Sequence, residues 1–353
     1  MTVKVAIIAD DLTGALDTGT PFVEAGLSVA VAIEIEGIAQ AIATGCEVVV
    51  VNTASRALQE EEAARRVGLA ANAFLAVLPE IILKKIDSRL KGNVAAESAA
   101  LAAVFGHTSI VISPAIPDQE RFTRNGHVVG RGVDQPLPIA VLFAGRDKSV
   151  LVADVNSDAD LDLLVTSHDW TTTLAVGARG IGSALARSVR LKSRENPNFE
   201  PMPKTLFAFG SRDPITVAQM ARLEAGGGLH TVVDAPAGLI QRTGTLTLPA
   251  LLRCSGDIIG SPEAVADRFA DGVKSAMEET DPEMLMVGGG DTALAVFRGL
   301  GVSVLLPKGE IEPGIPWFDV TTKGGRHFRC AVKSGGFGNS DSLLRLVPQN
   351  QAA

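Results

Sequence analysis

With 353 residues, the chain exceeds an average single domain and points to two. A formal charge of −8, an aromatic content of 4% and the absence of Tyr argue against a nucleic-acid partner, which needs a basic face and stacking platforms. Cys46, Cys254 and Cys330 are widely spaced and form no CxxC pair, which argues against a disulfide framework or structural zinc and for a reducing compartment. The N-terminus lacks the pattern of a secretory signal, and no run approaches the roughly 18–20 apolar residues of a spanning helix. The expectation is a soluble, cytoplasmic protein with no membrane partner.

The first predicted strand, residues 3–9, runs into "ADDLTGALD", which places Asp10 and Asp11 at a strand end and Asp17 further on. Tandem acids at such a place can cap a helix, bind a metal, hold sugar hydroxyls or take a proton. Further strands are expected over 29–33, 47–52, 81–86, 109–113 and 150–154, with amphipathic helices over 58–77 and 95–105. This alternation predicts an α/β fold built on a mainly parallel sheet with helices on its faces.

Strand ends are where such folds carry their chemistry. "KKIDSRLKGN" puts Asp87, Ser88, Arg89 and Lys91 on one turn after a buried-type strand. Charges of both signs there suit a small polar anion with hydroxyls, or equally a solvated turn with local ion pairs. In "PAIPDQERFTRNGH", Pro114, Pro117 and the Asn125-Gly126 pair predict an ordered loop or hairpin. It carries Arg121 and Arg124, whose planar forks suit carboxylate or phosphate, and His127, which can bond a substrate.

From Lys192 to Lys204 prolines and charges replace hydrophobic periodicity, which marks a linker. Strands then resume over 205–209, 231–234, 284–287, 303–306 and 328–333. Three of them run into small-residue turns: Gly210-Ser211 before a helix entered through Pro214, Gly288–Thr292 before a helix, and Ser334–Gly338, with a helix expected after Ser340-Asp341. Such turns free backbone N–H groups for phosphate, or serve packing alone. No Walker A sequence, no G-x-G-x-x-G after the first strand and no HExxH is present. "VGARGIGSALA" is glycine-rich at the wrong spacing, and no metal-ligand set is identified.

Taken together, "IADDLTGALD", "KKIDSRLKGN", "PAIPDQERFTRNGH", "FGSRDPITVAQM", "GGGDTALAV", "EIEPGIPW" and "KSGGFG" resemble, in order, the motifs of the four-carbon acid sugar kinase family. The resemblance runs nearly end to end. It implies an acid-sugar-binding N-terminal domain (1–195), a linker (196–204), a nucleotide-binding C-terminal domain (205–353) and an active site in the cleft between them. It further implies ATP and Mg2+ as cofactors and a threonate, erythronate or 3-oxo-tetronate type of substrate. Carried over by position, Asp10, Asp11, Ser88, Arg89 and Lys91 fall in substrate-side motifs. Ser211, Gly289, Gly290, Asp291, Thr292, Gly335 and Gly336 fall in nucleotide-side motifs.

Asp11 and Asp87 are the candidates for the catalytic carboxylate, with Arg121 and His127 as further substrate contacts. Because the substrate is itself an acid, its carboxylate is expected at Arg89, Lys91 or Arg121 and its hydroxyls at the aspartates. The chain departs from the family pattern at Arg89 (usually Thr), Lys91 (usually Arg), Glu120 (usually Gly) and the glycine segment 177–182. A homodimer is left open. The alternatives are a non-catalytic binding protein for a nucleotide or sugar acid, and a sugar-acid dehydrogenase, against which the missing dinucleotide fingerprint speaks.

Overall fold

In the computed structural model, which describes residues 3–145, 149–190, 197–242, 244–257, 259–322 and 324–347, the N-terminal apolar run forms β1 (Val5–Ala9), buried throughout. The chain forms two units, Met1–Asn196 and Pro197–Ala353.

In the first unit β1 is followed by α1 (Leu12–Glu24), β2 (Val29–Ala32), α2 (Ile38–Ala43), β3 (Val48–Asn52), α3 (Glu60–Phe74), β4 (Ile81–Lys85), α4 (Val94–Phe105) and β5 (Ser109–Ser113). After β5 come the short strands β6 (Arg121–Arg124), β7 (His127–Gly130) and β8 (Leu137–Pro138). Then follow β9 (Ser149–Val152), α5 (Asp158–Thr166), β10 (Thr173–Gly177) and α6 (Arg179–Ser188). The main-sheet strands of this unit lie in the order β2-β3-β1-β4-β10-β5-β9, each pair parallel. Strands covered on both faces read as unbroken apolar runs, which is why β1 and β3 were legible.

The strand β10 was not expected, because its five residues run straight into "GARGIG". Those glycines serve packing: a Cβ on Gly182 would lie 2.5 Å from Thr18 Cγ2, so α6 seats closely on α1. The predicted loop or hairpin is the β6–β7 pair, with Arg124 opposite His127 across Asn125-Gly126. Asn125 and Gly126 both take positive φ, as a tight two-residue hairpin turn requires.

In the second unit the strands are β11 (Thr205–Phe209), β12 (Thr231–Pro236), β13 (Ala250–Ser255), β14 (Met284–Gly288), the two-residue β15 (Val304–Leu305), β16 (Pro307–Glu310), β17 (Pro316–Thr321) and β18 (His327–Lys333). The helices are α7 (Pro214–Ala225), α8 (Pro262–Thr280) and α9 (Gly290–Gly299). The sheet order is β12-β13-β11-β14-β18-β17-β16. From β12 to β18 it is parallel, and β17 and β16 complete it antiparallel. Phe207, Phe209, Met284, Met286 and Trp317 pack together in its core.

Among the described residues after Ser340-Asp341, which end at 347, a single 3-10 turn, Leu344–Leu346, stands in place of the expected helix. Asn339 is the reason, because its side chain accepts from Asp341 N and its carbonyl from Ser342 Oγ, a local turn that competes with helix. Of the expected linker, residues 192–196 lie outside the described residues, and 197–204 carry no helix or strand. Among the described residues no helix is long and apolar enough to cross a membrane.

Candidate active site

Parallel register brings the C-terminal ends of β1, β3 and β4 level, with Ala9 opposite both Asn52 and Lys85. The turns that follow therefore gather Asp10-Asp11, Arg56 and residues 86–93 at one edge of the first sheet. The main chain locks this arrangement, since Asp10 O accepts from Ser55 N at 3.0 Å and Arg56 N at 3.3 Å.

Arg56, which the sequence reading passed over, holds both acids. Its Nε and Nη2 donate to the two oxygens of Asp10, each at 2.8 Å, and its Nη1 and Nη2 donate to those of Asp11 at 2.9 and 2.8 Å. Asp11 also caps α1, accepting from Gly14 N at 2.9 Å and from Thr13 Oγ1 at 2.7 Å. Burial alone would push the Asp10 carboxyl up, but Arg56, with Lys84 and Lys85, outweighs it and holds Asp10 below the usual carboxylate range. Burial likewise works against the Arg56 charge, and Asp11 and Asp10 overcome it, so the guanidinium stays protonated.

Beneath this cluster the Lys-Lys pair is structural. Lys84 is fully buried and pairs with Glu97 at 2.8 Å, while Ser55 Oγ donates to the other Glu97 oxygen at 2.7 Å. Lys85 lies 3.9 Å from Asp17, whose carboxyl burial pushes up against the opposing charges of Lys85 and Arg179. Asp17 thus belongs to the foundation of the site.

Asp87 is bound differently. Its Oδ1 accepts from Arg89 N at 2.9 Å and Lys91 N at 3.4 Å, folding the turn, while among the described residues its Oδ2 has only Arg56 Nη1 at 3.9 Å. Ser88 Oγ accepts from Arg121 Nη1 at 2.6 Å, and Arg121 Nε and Nη2 donate to Arg131 O. Arg121 thereby joins the 87–91 turn. His127 does not: it sits at the other end of the hairpin, about 10 Å along β6 by strand rise, with Nδ1 2.7 Å from Asn125 O. Glu120, where the resembled family usually has Gly, has φ +56°. The left-handed backbone there accounts for the usual glycine.

In the second unit β11, β14 and β18 also end level, with Phe209 opposite Gly288 and Gly288 opposite Lys333. Gly210 N and Ser211 N donate to Gly288 O, and Gly289 N to Lys333 O, which ties the three turns into one floor. Its packing leaves no room for a side chain at Gly210 or Gly335. A Cβ on Gly210 would lie 1.9 Å from Thr292 Oγ1, and one on Gly335 would lie 2.8 Å from Asp213 Cβ and 3.0 Å from Ser211 Oγ. Gly289 caps α9 with φ +104°, a conformation reserved for glycine. Thr292 is buried and Asp291 exposed in the first turn of α9, where a helix end favours negative charge.

Lys333 was also missed. It is fully buried, and its Nζ donates to Thr216 Oγ1 at 2.9 Å, Ser334 O at 3.0 Å and Gly335 O at 3.1 Å, fixing the last glycine turn. Burial pushes it down to about 8, against the opposing charges of Asp213 and Glu312. A cavity elsewhere in this unit, lined by Ile240, Arg242, Thr245 and Glu279, contains none of these residues, and its charges pair with each other.

Two family models match this chain: a sugar-binding N-terminal domain over residues 5–138 and a nucleotide-binding C-terminal domain over residues 250–343. The D-erythronate kinase of Heliobacterium modesticaldum is 26% identical, with 98% of this chain and 96% of that protein covered. The chain belongs to the four-carbon acid sugar kinase family. Two further family relatives are the D-threonate kinase of Cupriavidus necator, 27% identical over 96% of this chain and 95% of that protein, and the 3-oxo-tetronate kinase of Pseudomonas fluorescens, 24% identical over 97% and 96%. Among solved structures, a Salmonella typhimurium LT2 protein superposes with a TM-score of 0.74 and a Haemophilus influenzae protein with 0.69. Both are 17% identical over 97% of this chain and 98% of theirs, and both speak to the fold alone.

Proposed function

We propose that this protein is a cytoplasmic, ATP-dependent kinase that phosphorylates a hydroxyl of a short sugar acid of the threonate, erythronate or 3-oxo-tetronate type. The observation that carries the reading is the close-packed glycine floor of the second unit, where Ser211, Gly289, Thr292 and Gly335 meet at the ends of adjacent parallel strands. The N-terminus of α9, whose first-turn N–H groups have no acceptor within the helix, with the Ser211 and Thr292 hydroxyls beside it, suits a polyphosphate. The names of the aligned relatives supply the acceptor class.

Phosphoryl transfer asks for position, charge neutralisation and an aligned acceptor. On the acceptor side Asp87 is the general base of this reading, because Oδ2 is the carboxylate oxygen that the fold leaves open. Asp10 and Asp11, saturated by Arg56, position rather than abstract: their outer lone pairs and the Arg56 guanidinium define where hydroxyls rest. Among the described residues no cluster of three His, Cys, Asp or Glu builds a metal cage. Asp291, the carboxylate in the first turn of α9, is the residue that would face a Mg2+, which would supply charge neutralisation when bound.

A coupled assay of ADP release over a panel of four-carbon aldonic and oxo-aldonic acids tests the reading. Release that depends on one of these acids is expected; ATP turnover indifferent to every acid would overturn it. A titration with NAD(H) separates the dehydrogenase alternative, for which binding would be required.

A further inference from the structure

The charged edge of the first unit has two unlike ends. At one, Arg56 is outnumbered by Asp10 and Asp11. At the other, positive charge accumulates without a matching partner. Arg89 and Arg121 point to a common place: a Cβ built on Gly132 would lie 3.9 Å from Arg89 Nη1 and 3.4 Å from Arg121 Nη2. Arg131 stands close enough that it and Arg89 both work against the Arg121 charge, after burial as the largest influence, with Asp87 opposing them. Lys91 lies exposed on the same turn.

Asp87, the carboxylate that acts on Arg121, is one charge against three guanidinium groups. Asp87 Oδ1 is taken by two backbone N–H groups, and its Oδ2 faces Arg56. Among the described residues, the side chains of Arg89, Lys91 and Arg131 have no carboxylate partner. Arg121 is held rigid by Ser88 and the Arg131 carbonyl, yet its five donors exceed those three bonds and leave N–H groups on both terminal nitrogens. A fixed guanidinium with spare donors, beside a second free guanidinium, is a receptor for oxyanions. Its charge exceeds what one carboxylate neutralises.

We infer that the basic end formed by Arg89, Arg121 and Arg131 selects an acceptor carrying two anionic groups, either a sugar diacid or a sugar acid that already bears a phosphate. The inference rests on the acid-binding reading of the first unit and adds a second anionic group to the acceptor class named there. The hydroxyl-bearing stretch of such a dianion faces Asp87, and the second anionic group occupies the place between Arg89 and Arg121.

Calorimetry on the full chain tests this without requiring turnover, with D-threonate as the monoanion, tartrate as the diacid and a phosphorylated four-carbon aldonic acid as the third ligand. At least one dianion is expected to bind about tenfold more tightly than threonate, the size of one additional charge-assisted contact. Which dianion wins tells carboxylate from phosphate. In Arg89→Gln every acid is expected to bind more weakly, but the dianion is expected to lose about tenfold more affinity than threonate, so that its advantage vanishes. Arg131→Ala, at an exposed position, is expected to reduce it in the same direction. Equal affinity for threonate and both dianions, or an equal loss for all ligands in both variants, overturns the inference. Preferential dianion binding with no acid-dependent ADP release would instead leave this inference standing and remove the kinase reading.

Discussion

The two units solve the same placement problem with opposite materials. Both present the level C-terminal ends of parallel strands, yet the first fills that edge with ionised side chains and the second lines it with glycines and the small side chains of Ser211 and Thr292. In the first, function rests on which charge meets which: Arg56 satisfies Asp10 and Asp11 and leaves Asp87 Oδ2 open. In the second, it rests on glycine backbone too closely packed to carry a side chain at Gly210 or Gly335. An edge built from charges discriminates between acceptors, whereas one built from N–H groups accepts whatever phosphate lies on it.

The largest test of this contrast falls on Asp87. Asp87→Asn keeps the oxygen that accepts from Arg89 N but loses the open basic one, so kcat is expected to drop about 10²–10⁴-fold in steady-state assays. An unchanged kcat would move the base elsewhere.

Arg56→Ala should cost about 3 kcal/mol in denaturant unfolding, because Asp10 would stay buried without its partner. The pH dependence carries the diagnosis. In the native protein the Asp10 pKa is held low, so its contribution is present above the unfolded carboxylate value and is lost as the pH falls below it. Without Arg56 burial prevails, the folded pKa rises, and the Asp10 contribution reverses: it diminishes as the pH climbs through the carboxylate range. Adding Asp10→Asn to that variant should restore part of the stability.

In the second unit Gly210→Ala should weaken nucleotide binding and cost about 1–3 kcal/mol, since the new methyl meets Thr292 Oγ1. Gly336→Ala, where a Cβ meets open space, should change both by far less. Comparable effects at the two positions would undo the notion of a close-packed glycine floor. The smallest effect concerns Lys333. Its folded value of about 8 lies below that of an unfolded lysine, about 10.4, so stability should rise with pH between the two as only the unfolded chain still holds the proton. Lys333→Met should flatten that rise in thermal melts.

What the sequence disclosed follows the same division. Glycine turns after apolar runs announce a backbone floor directly, because their signal lies in consecutive residues. The α/β alternation was legible for the same reason, while β13, β16 and β17 escaped notice among mixed or short segments. Arg56 was not legible: it lies 46 residues from Asp10, in "NTASRAL", with no local mark of its role. Lys333 looked like the end of a strand, and only the fold shows its ammonium bonded to the turn beyond it. His127 seemed to accompany Arg121 in sequence, but the hairpin that pairs their strands also separates them.

The most direct test of the account is 31P NMR of ATP and Mg2+ incubated with a four-carbon sugar acid and either the native protein or Asp87→Asn. The account predicts that the γ-phosphate signal is replaced by that of a phosphate ester of the acid with the native protein, and far more slowly with the variant. Release of the γ-phosphate as inorganic phosphate alone, or an ester formed equally fast by both proteins, would contradict it.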